Sequence, residues 1–440
     1  MSGIIAANRQ RLKPFISTWK TDNLSAGSTL AAQIALPLQS TGNYNFSVNW
    51  GDGSKSRITA YNQSEVIHTY ATPGTYTVSI IGTINGWRFN NIGDVLKILT
   101  VSQWGCIRLG SAGSNFYGCA NLTLSGVNDI LNLKGKLSFN QMFYNCTSLT
   151  TVNRMNEWDV SNVTTMASTF LNCNQFNQFL NKWDTRKVTL MSDMFSGCYF
   201  FNQPLSKWNV SNVTNIQSMF YKCYLFNQPL NDWDTSNVIN MGQTFGRAIA
   251  FNQPLNKWKT GKVTSMLNMF RLASEFVGQG GFNQDISSWD TANVTTMSYM
   301  FAYNNKFNQP LNNWNVSNVT EMNAMFRECA AFNQPLNRWN ISNVTNMEVI
   351  FFNATNFNQN IGNWDITKVI NLANFMLGKT PANFTSVNYN AILNGWSTRA
   401  VQLNKSINFG TIKYTSDGLN GRNILKNTKG WTITDGGIAS

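Results

Sequence analysis

The sequence contains few residues that could do acid–base chemistry, and only one of them, His68, is a histidine. A Ser-His-Asp triad uses histidine as its general base, so a triad forms here only if distant residues converge on His68. Asp52 could join a calcium site, but one acidic residue supplies few of the roughly six to eight oxygen ligands that calcium takes. The composition therefore argues against most acid–base and metal chemistry.

The cysteines share one sequence position rather than a metal-binding spacing. The chain has 7 of them, an odd number, so a disulfide framework cannot include them all. Six follow a phenylalanine by three residues: Cys119, Cys146, Cys173, Cys198, Cys223 and Cys329. The same position elsewhere holds Ala248, Ala273 and Ala354, with Asn304 as the polar exception. Alanine can replace a buried thiol but not a zinc ligand, so we predict a reduced core ladder without metal or cofactor.

The residues that directly follow a repeated tryptophan are the best candidates for a carboxylate pair. They are Asp159, Asp184, Asn209, Asp234, Lys259, Asp290, Asn315, Asn340 and Asp365. If repeats stack at about 5 Å, neighbouring carboxylates would have the spacing of a retaining glycosidase. However, Asp and Asn exchange freely here, and Lys259 would abolish such chemistry. Because side chains of this type hydrogen bond to turns, we expect a structural ladder and predict that the chain is not an enzyme.

The elements that must position these residues follow a period of 25 residues. Tryptophan recurs at this interval, with one interval of 31, at Trp158, Trp183, Trp208, Trp233, Trp258, Trp289, Trp314, Trp339 and Trp364. A phenylalanine follows each of the first eight by twelve residues, from Phe170 to Phe351, and a Phe-Asn-Gln triplet follows later in each repeat. Two weaker copies precede the array, at 116–119 and 143–146. Three columns in phase establish a repeat protein.

One repeat is predicted to contain a short strand and a short helix. Trp208 and Val210 alternate with polar residues, which favours a strand. Ile216, Met219, Phe220 and Cys223 have the i, i+3, i+4, i+7 spacing of one helix face, with Thr214 or Asn215 as its cap. Such a unit cannot bury its apolar face alone, so copies must stack into a solenoid. Strands stack at about 4.8 Å and helices at about 8–10 Å, which predicts a bent stack.

The interval of 31 residues contains an insertion. Six extra residues lie within 271–281, between the helix and the Phe-Asn-Gln triplet, and the columns stay in phase on both sides. We therefore predict an outward loop. A tolerated surface insertion is the simpler interpretation, and a ligand-binding loop is the alternative.

The segments around the array carry a resemblance to two known families. Val48-Asn-Trp-Gly-Asp-Gly-Ser54, His68-Thr-Tyr70 and Pro73-Gly-Thr-Tyr-Thr-Val78 resemble the polycystic-kidney-disease (PKD) type domain. The repeat resembles the BspA-like surface-protein family, or DUF285 repeats, and the ending, with Tyr389-Asn-Ala-Ile-Leu-Asn-Gly-Trp396, is similar to that family's C-terminal segment. The PKD resemblance implies an immunoglobulin-like β-sandwich in which His68 packs or hydrogen bonds near the Trp50-Gly-Asp turn.

These resemblances define a domain organisation. We predict a mixed fold: a basic arm (1–14), a PKD-like β-sandwich (15–100), a leucine-rich-repeat-like solenoid of strands and short helices (101–376) and a C-terminal cap (377–440). The BspA-like family implies surface proteins that adhere to cells, matrix or glycans. The start of this sequence lacks an apolar signal region, which is compatible with a trimmed bacterial surface protein or with a phage or virus structural protein. The basic arm would then attach to a capsid or surface.

The distribution of charge bears on the partner. Only 12% of residues are charged, against about 25% in ordinary domains, and the net charge is +13. Residues 158–376 hold 14 basic and 12 acidic groups, whereas residues 1–14 and 377–440 are net +3 and +5. A nucleic-acid-binding face along the repeats is therefore not expected. The sequence contains no apolar run of about 18 residues, so we predict no membrane span.

The variable surface of the repeats is the candidate ligand site. Basic side chains occur directly before the tryptophans, and basic or tyrosine side chains occur just after the column phenylalanines. The candidates are Lys182, Lys207, Lys257, Arg338, Tyr221, Lys222, Arg247, Arg271, Tyr303 and Arg327. Aligned side chains of these types can bind anionic glycans or protein, although a solvated exterior is the simpler interpretation. The leading hypothesis is a surface adhesion protein; the alternative is a structural virion spike or decoration protein without a receptor.

Overall fold

The computed structural model describes residues 13–276 and 278–439, so most of the predicted basic arm, residues 1–12, lies outside the described residues. Two compact units divide the chain, Met1–Lys187 and Val188–Ser440. Most of the extended structure is in sheets of the first unit, and the described helices are few and short. None of these helices has the length and apolar character that crossing a bilayer requires.

The first unit begins with an antiparallel sheet. Its strands are β1 (Phe15–Lys20), β3 (Leu38–Asn49), β4 (Lys55–Ile58), β6 (Thr75–Trp87) and β7 (Ile98–Gln103), in the order β4-β3-β6-β1-β7. The short β8 (Ile107–Arg108) joins β6 in parallel, and β2 (Gln33–Ala35) pairs with β5 (Ile67–Thr69) in a separate two-stranded sheet. This region is β-rich, as the alternating sequence predicts.

The alternation of apolar residues explains why β3 and β6 pair as they do. Val48 on β3 lies opposite Ile80 on β6, and both are completely buried. Gly82 lies opposite Phe46 with φ +134°, and a Cβ at Gly82 would come within 2.5 Å of the Asn45 carbonyl oxygen. Only glycine therefore fits this close strand contact.

A buried ion pair lies beside this sheet. Asp94 and Lys97 are completely buried, with 3.2 Å between Oδ1 and Nζ. The Lys97 amine also donates to the carbonyls of Leu30 and Gln33, at 3.0 and 2.9 Å. The Asp94 carboxylate accepts the backbone N–H groups of Thr29 and Ala35. Every polar atom of the pair is thus hydrogen bonded, which is the condition for burying charge at tolerable cost.

The repeats contain turns where a helix was predicted, and this corrects the sequence analysis. In the repeat that begins at Trp208, the backbone N–H groups of Ile216, Ser218 and Phe220 donate to Asn240, Gly242 and Thr244 of the next repeat, at 2.9–3.2 Å. A helix would direct these N–H groups to carbonyls four residues earlier in its own chain segment. The four apolar residues at helical spacing are nevertheless buried, as predicted.

A regular alternation of backbone conformation produces this pattern. Ser218 and Lys222 have φ +54° and +60°, and Gln243 and Arg247 repeat this at +58° and +59°. Residues in the left-handed conformation at every fourth position prevent a helix from forming, and alternate N–H groups then point to carbonyls of the next repeat. The predicted helix cap is also absent: Asn215 accepts the N–H of Gln217, two residues on. No strand forms at Trp208, and a single-residue parallel bridge joins Asn215 to Asn240 instead.

Without helices, the basis for the predicted bend disappears. Rings of the Phe column stack at 5.6–5.9 Å between Phe220 and Phe351, and the Trp rings stack at 6.3 or 6.4 Å. Parallel bridges in the second unit run from Leu190 to Asn371, and the first unit has bridges of the same kind, such as Ser138 to Thr165. The two columns of rings therefore repeat at similar spacings, 5.6–5.9 Å and 6.3 or 6.4 Å.

The C-terminal segment has its own elements. These are α1 (Ser386–Ser397), β9 (Ser406–Asn408), α2 (Ser416–Asn423) with a following π-helical turn (Ile424–Thr428), and β10 (Thr432–Thr434), which pairs with β9 in parallel. Thr385 caps α1 by accepting the N–H of Asn388. Trp396 in α1 donates its indole N–H to the Ile361 carbonyl, so this segment continues the bonding of the repeats.

Candidate functional site

The Phe-Asn-Gln triplet forms a ladder of side-chain amides. The Asn227 side-chain oxygen accepts the backbone N–H of Asn252 and the side-chain N–H of Gln253, at 3.0 and 3.1 Å. The same pair of bonds recurs down to Asn333, which serves Asn358 and Gln359. The triplet therefore joins neighbouring repeats where the backbone alone does not.

The tryptophans form a second ladder. Trp258, Trp289 and Trp314 donate their indole N–H groups to Leu230, Leu255 and Ile286 of the preceding repeat, at 2.9–3.1 Å. All three side chains are buried. A buried indole N–H needs an acceptor, and the period of 25 residues supplies one to each of these three tryptophans, whereas the Nε1 of Trp158, the first of the array, has no partner among the described residues.

The residues after each tryptophan bond to their own turns, as predicted. Asp159, Asp290 and Asn340 each accept the backbone N–H two residues later. A hydrogen bond from Ser161 lowers the pKa of Asp159, and a hydrogen bond from Arg186 lowers that of Asp184. Low pKa values suit permanently charged acceptors and do not suit a general acid, which needs a raised pKa.

The column cysteines donate to carbonyls, which confirms their position in the core. The thiols of Cys146, Cys173 and Cys223 lie 2.9–3.1 Å from carbonyl oxygens of Phe116, Phe143 and Phe195 in the preceding repeats. Burial raises the pKa of these thiols well above the usual range, which makes them unreactive. Among the described residues, no cluster of His, Cys, Asp and Glu is arranged to hold a metal.

His68 lies at the Trp50-Gly-Asp turn, as expected. Its Nε2 is 2.7 Å from Asp52 Oδ2, and its ring stacks on Trp50 with centroids 4.7 Å apart. Partial burial raises the pKa of Asp52, but hydrogen bonds from Ser54 and His68 outweigh this effect and hold the pKa at about 2. The cluster fixes a turn and leaves His68 enclosed by aromatic rings.

Two buried lysines, which the sequence analysis did not single out, replace smaller residues in the packing. Lys379 donates to the carbonyls of Thr355 and Phe357, at 2.9 and 2.6 Å, and burial lowers its pKa to about 7. Lys136 donates to the Ala112 carbonyl and to Asn115 Oδ1, and burial together with the charge of Arg88 lowers its pKa to about 7. Lys379 could have been noticed because it follows Met376 by three residues, the spacing of the cysteine position.

The ten candidate ligand residues separate into two sets. Those before the tryptophans, Lys182, Lys207, Lys257 and Arg338, are exposed. Lys257 pairs with Asp232 at 2.8 Å, and Arg338 donates to Asn313. Lys182 lies in the first unit, whereas the other three lie in the second. This set consists of exposed cations, at least two of which bond to side chains of the preceding repeat.

The other six, Tyr221, Lys222, Arg247, Arg271, Tyr303 and Arg327, are half-buried and lie on one side of the second unit, just after the Phe column. The Arg327 guanidinium lies 5.4 Å from the Tyr303 ring and 4.9 Å from the Phe352 ring. The Nε atoms of Arg271 and Arg327 are buried and have no partner within 13–276 and 278–439. We call these residues, together with Tyr299 and Phe352, the cationic-aromatic face.

Two rings of this face were not predicted from the sequence. Tyr299 lies 5.1 Å from the Arg271 guanidinium, and Phe352 covers Arg327. Tyr299 precedes its column phenylalanine by two residues and has φ +56°, so it points outward from a left-handed position. Phe352 follows Phe351 directly and was available to the same column comparison that found Arg327.

The insertion forms an exposed loop, as predicted, and it folds back on earlier repeats. A 3-10 turn (Ser274–Phe276) places Glu275 3.5 Å from Arg247 and Phe276 5.4 Å from the Tyr224 ring. Gly281 donates its N–H to the Ile249 carbonyl. The loop therefore borders the cationic-aromatic face on one side.

A comparison with protein families identifies the repeats. The family model described as "Mycoplasma protein of unknown function, DUF285" matches residues 137–240, 222–281 and 272–389. No curated protein and no solved structure matches the chain. Because the matched segments together cover more than half of the 440 residues, the chain belongs to the DUF285 repeat family.

Proposed function

We propose that this chain is a non-enzymatic recognition protein that adheres through its repeats to a protein or glycan, on a virion or bacterial cell surface. Membership of DUF285, the BspA-like repeat family, is compatible with this function. The observation that favours it most is the cationic-aromatic face. Arg271 and Arg327 of this face lie against aromatic rings in advance, so binding a carboxylate or sulfate would cost little side-chain entropy.

The proposal includes a domain organisation. The N-terminal sheet would be a PKD-like sandwich, the repeats a solenoid, and residues 377–440 its cap. The aromatic cluster around His68 and the continuous bonding between repeats support these assignments. Residues 1–14 would attach the protein to a capsid or cell envelope.

Binding of the full-length chain to cells and to an array of acidic glycans tests the adhesion function. We expect the double variant Arg271→Ala/Arg327→Ala to lose at least tenfold in affinity, because both guanidiniums belong to the preorganised face. The matched control is Lys257→Ala/Arg338→Ala, which removes the same charge from the exposed set. Equal losses of affinity in both double variants would mean that binding depends only on net charge. No binding by the wild type would refute adhesion.

A structural spike or decoration protein is the second candidate. The observation that favours it is that side chains of the Asn, Trp and Cys columns hydrogen bond neighbouring repeats to one another, which suits a rigid spacer. This candidate predicts incorporation into particles through the N-terminal region while the Arg271/Arg327 variant assembles normally. Particle assembly without cell or glycan binding would decide for it.

A further inference from the structure

Between Asn227 and Asn358, the amide ladder leaves the Nδ2 group of the asparagines and the Oε1 of the glutamines unused. The side-chain oxygen of each ladder asparagine is occupied, which identifies its Nδ2 as the free end. Within 13–276 and 278–439, no partner is found for the Nδ2 of Asn227, Asn252, Asn283, Asn308, Asn333 and Asn358. The neighbouring glutamines use their Nε2 in the ladder and likewise leave Oε1 without a partner. We call these residues the amide row.

The asparagines of the amide row line two cavities in the second unit, which we together call the groove. One cavity of about 430 Å³ is lined by Asn227, Asn252, Asn283 and, from the insertion, Gln279. A second of about 430 Å³ is lined by Asn308, Asn333 and Asn358. Gly280 and Gly281 close the first cavity, and a Cβ on Gly280 would come within 2.2 Å of the Ile249 carbonyl oxygen. The insertion thus forms one wall of the groove.

The spacing of the row favours an extended polypeptide. The phenylalanines that directly precede the row asparagines stack at 6.0–6.4 Å between Phe226 and Phe357. A β-strand rises about 3.2–3.4 Å per residue, so two residues span about 6.4–6.8 Å. One backbone N–H and one carbonyl on the same strand edge therefore recur at nearly the interval at which these phenylalanine rings, adjacent to the row asparagines in sequence, repeat.

The lining of the groove indicates the side chains of the ligand. Lys306 is the only charged side chain among the described residues that line the two cavities, and Ile249 is the only large apolar one; amides, alanines, glycines and Thr355 form the remaining walls. A highly charged ligand would lack counter-charges, and large apolar side chains would meet a single apolar side chain, Ile249. The lining suits small, uncharged polar side chains.

We propose that the amide row binds an extended, uncharged polypeptide segment by its backbone, with two peptide residues per repeat. Each row asparagine donates its Nδ2–H to a peptide carbonyl, and each glutamine Oε1 accepts a peptide N–H. The mode resembles strand addition, with side-chain amides in place of a strand edge. The inference rests on the proposed recognition function and assigns it a second surface, distinct from the cationic-aromatic face.

A display library of random dodecapeptides, selected on the full-length chain, provides the probe. Twelve residues match the six repeats of the row. The test variant is Asn252→Asp/Asn308→Asp, which keeps the ladder acceptor and replaces the free donor by an oxygen. Selected peptides, measured by fluorescence anisotropy, should bind the wild type at least tenfold more tightly than this variant. Methylating every second backbone nitrogen of a selected peptide should abolish binding when those nitrogens face the amide row. Methylating the other set of alternate nitrogens should leave binding intact.

The matched control is Asn315→Asp, in a column where Asp and Asn already exchange, and it should leave peptide affinity unchanged. Thermal unfolding of each variant verifies the fold. Failure to select peptides that distinguish the wild type from the double variant would overturn the proposal. Saturable binding of cellohexaose, lost in the same double variant, would also overturn it in favour of a glycan groove. Arg271→Ala/Arg327→Ala should retain peptide binding, so failure of the adhesion function is separately visible.

Discussion

The N-terminal sheet (15–108) and the repeats of the second unit (188–376) satisfy buried polar groups in opposite ways. The sheet uses interactions that occur once, such as the Asp94–Lys97 pair with its own set of carbonyls. The repeats use neutral amides, indoles and thiols, each bonded to the copy before it. An ion in a repeated column would meet like charges about 6 Å away, so stacking excludes it. The low charge content of the chain follows from this difference.

The largest expected effect on stability comes from removing one tryptophan of the ladder. Trp314→Ala should lower the free energy of unfolding by about 5 kcal/mol, because a buried ring is lost and the Ile286 carbonyl loses its donor. Urea unfolding of the full chain measures it. Trp314→Phe should recover most of this loss.

The matched control lies in the sheet. Trp87 is completely buried, and its Nε1 has no partner among the described residues. Trp87→Phe should therefore cost about 1 kcal/mol less than Trp314→Phe, the value of one hydrogen bond. Equal losses at both sites would mean that the ladder bonds contribute nothing.

The next largest effect concerns the unique ion pair. Lys97→Met should destabilise the protein by about 3 kcal/mol, because it leaves the buried Asp94 carboxylate without its counter-charge. Asp94→Asn/Lys97→Met should recover part of this loss, as calorimetry can measure. If Lys97→Met alone left the stability unchanged, this would contradict a charged pair.

Stability should also depend on pH through the buried lysine Lys379. The folded pKa of Lys379 is about 7, below its unfolded value, so the folded protein binds fewer protons above pH 7 and its stability rises with pH. The slope is at most about 1.4 kcal/mol per pH unit for one proton. Thermal midpoints from pH 7 to 9 should rise less in Lys379→Met. An unchanged slope would show that Lys379 keeps its ordinary pKa.

The smallest effect concerns backbone conformation. Strand β6 places glycine at positive φ, as at Gly82, whereas most positive-φ positions in the repeats hold other residues. Val349 has φ +48°, which is unfavourable for a β-branched residue. Val349→Asn should stabilise the chain by about 1 kcal/mol, and Asn268→Val, at φ +56°, should destabilise it by a similar amount. Thermal unfolding that moves both variants in one direction would contradict this.

Sequence patterns predicted the buried columns but not the path of the backbone between them. Ile216, Met219, Phe220 and Cys223 are buried whether the segment is a helix or a series of turns, so periodicity cannot separate the two. The deciding fact is that alternate N–H groups bond to the next repeat, which depends on stacking. A weak local signal was present, since Gly197, Asn172 and Asn353 occupy one left-handed position.

The candidate site was predicted in part for a similar reason. Columns of variable residues indicated Arg271 and Arg327, because exposed positions tolerate variation. The amide row was missed because its residues hardly vary, and invariance within repeats was attributed to structure alone. Only the hydrogen bonds show that one end of each amide is used in the stack and the other is not.

The ladders also bear on how such a gene can change. Each repeat receives from one neighbour the same hydrogen bonds that it gives to the other. At the C-terminal end of the ladder, Thr385 and Asn388 donate to the side-chain oxygen of Asn358. Unequal recombination that adds or removes 75 nucleotides, the coding length of one 25-residue unit, would leave both junctions chemically unchanged. The amide row would lengthen or shorten in the same step, so the length of the repeat array and the length of the peptide that it binds would evolve together.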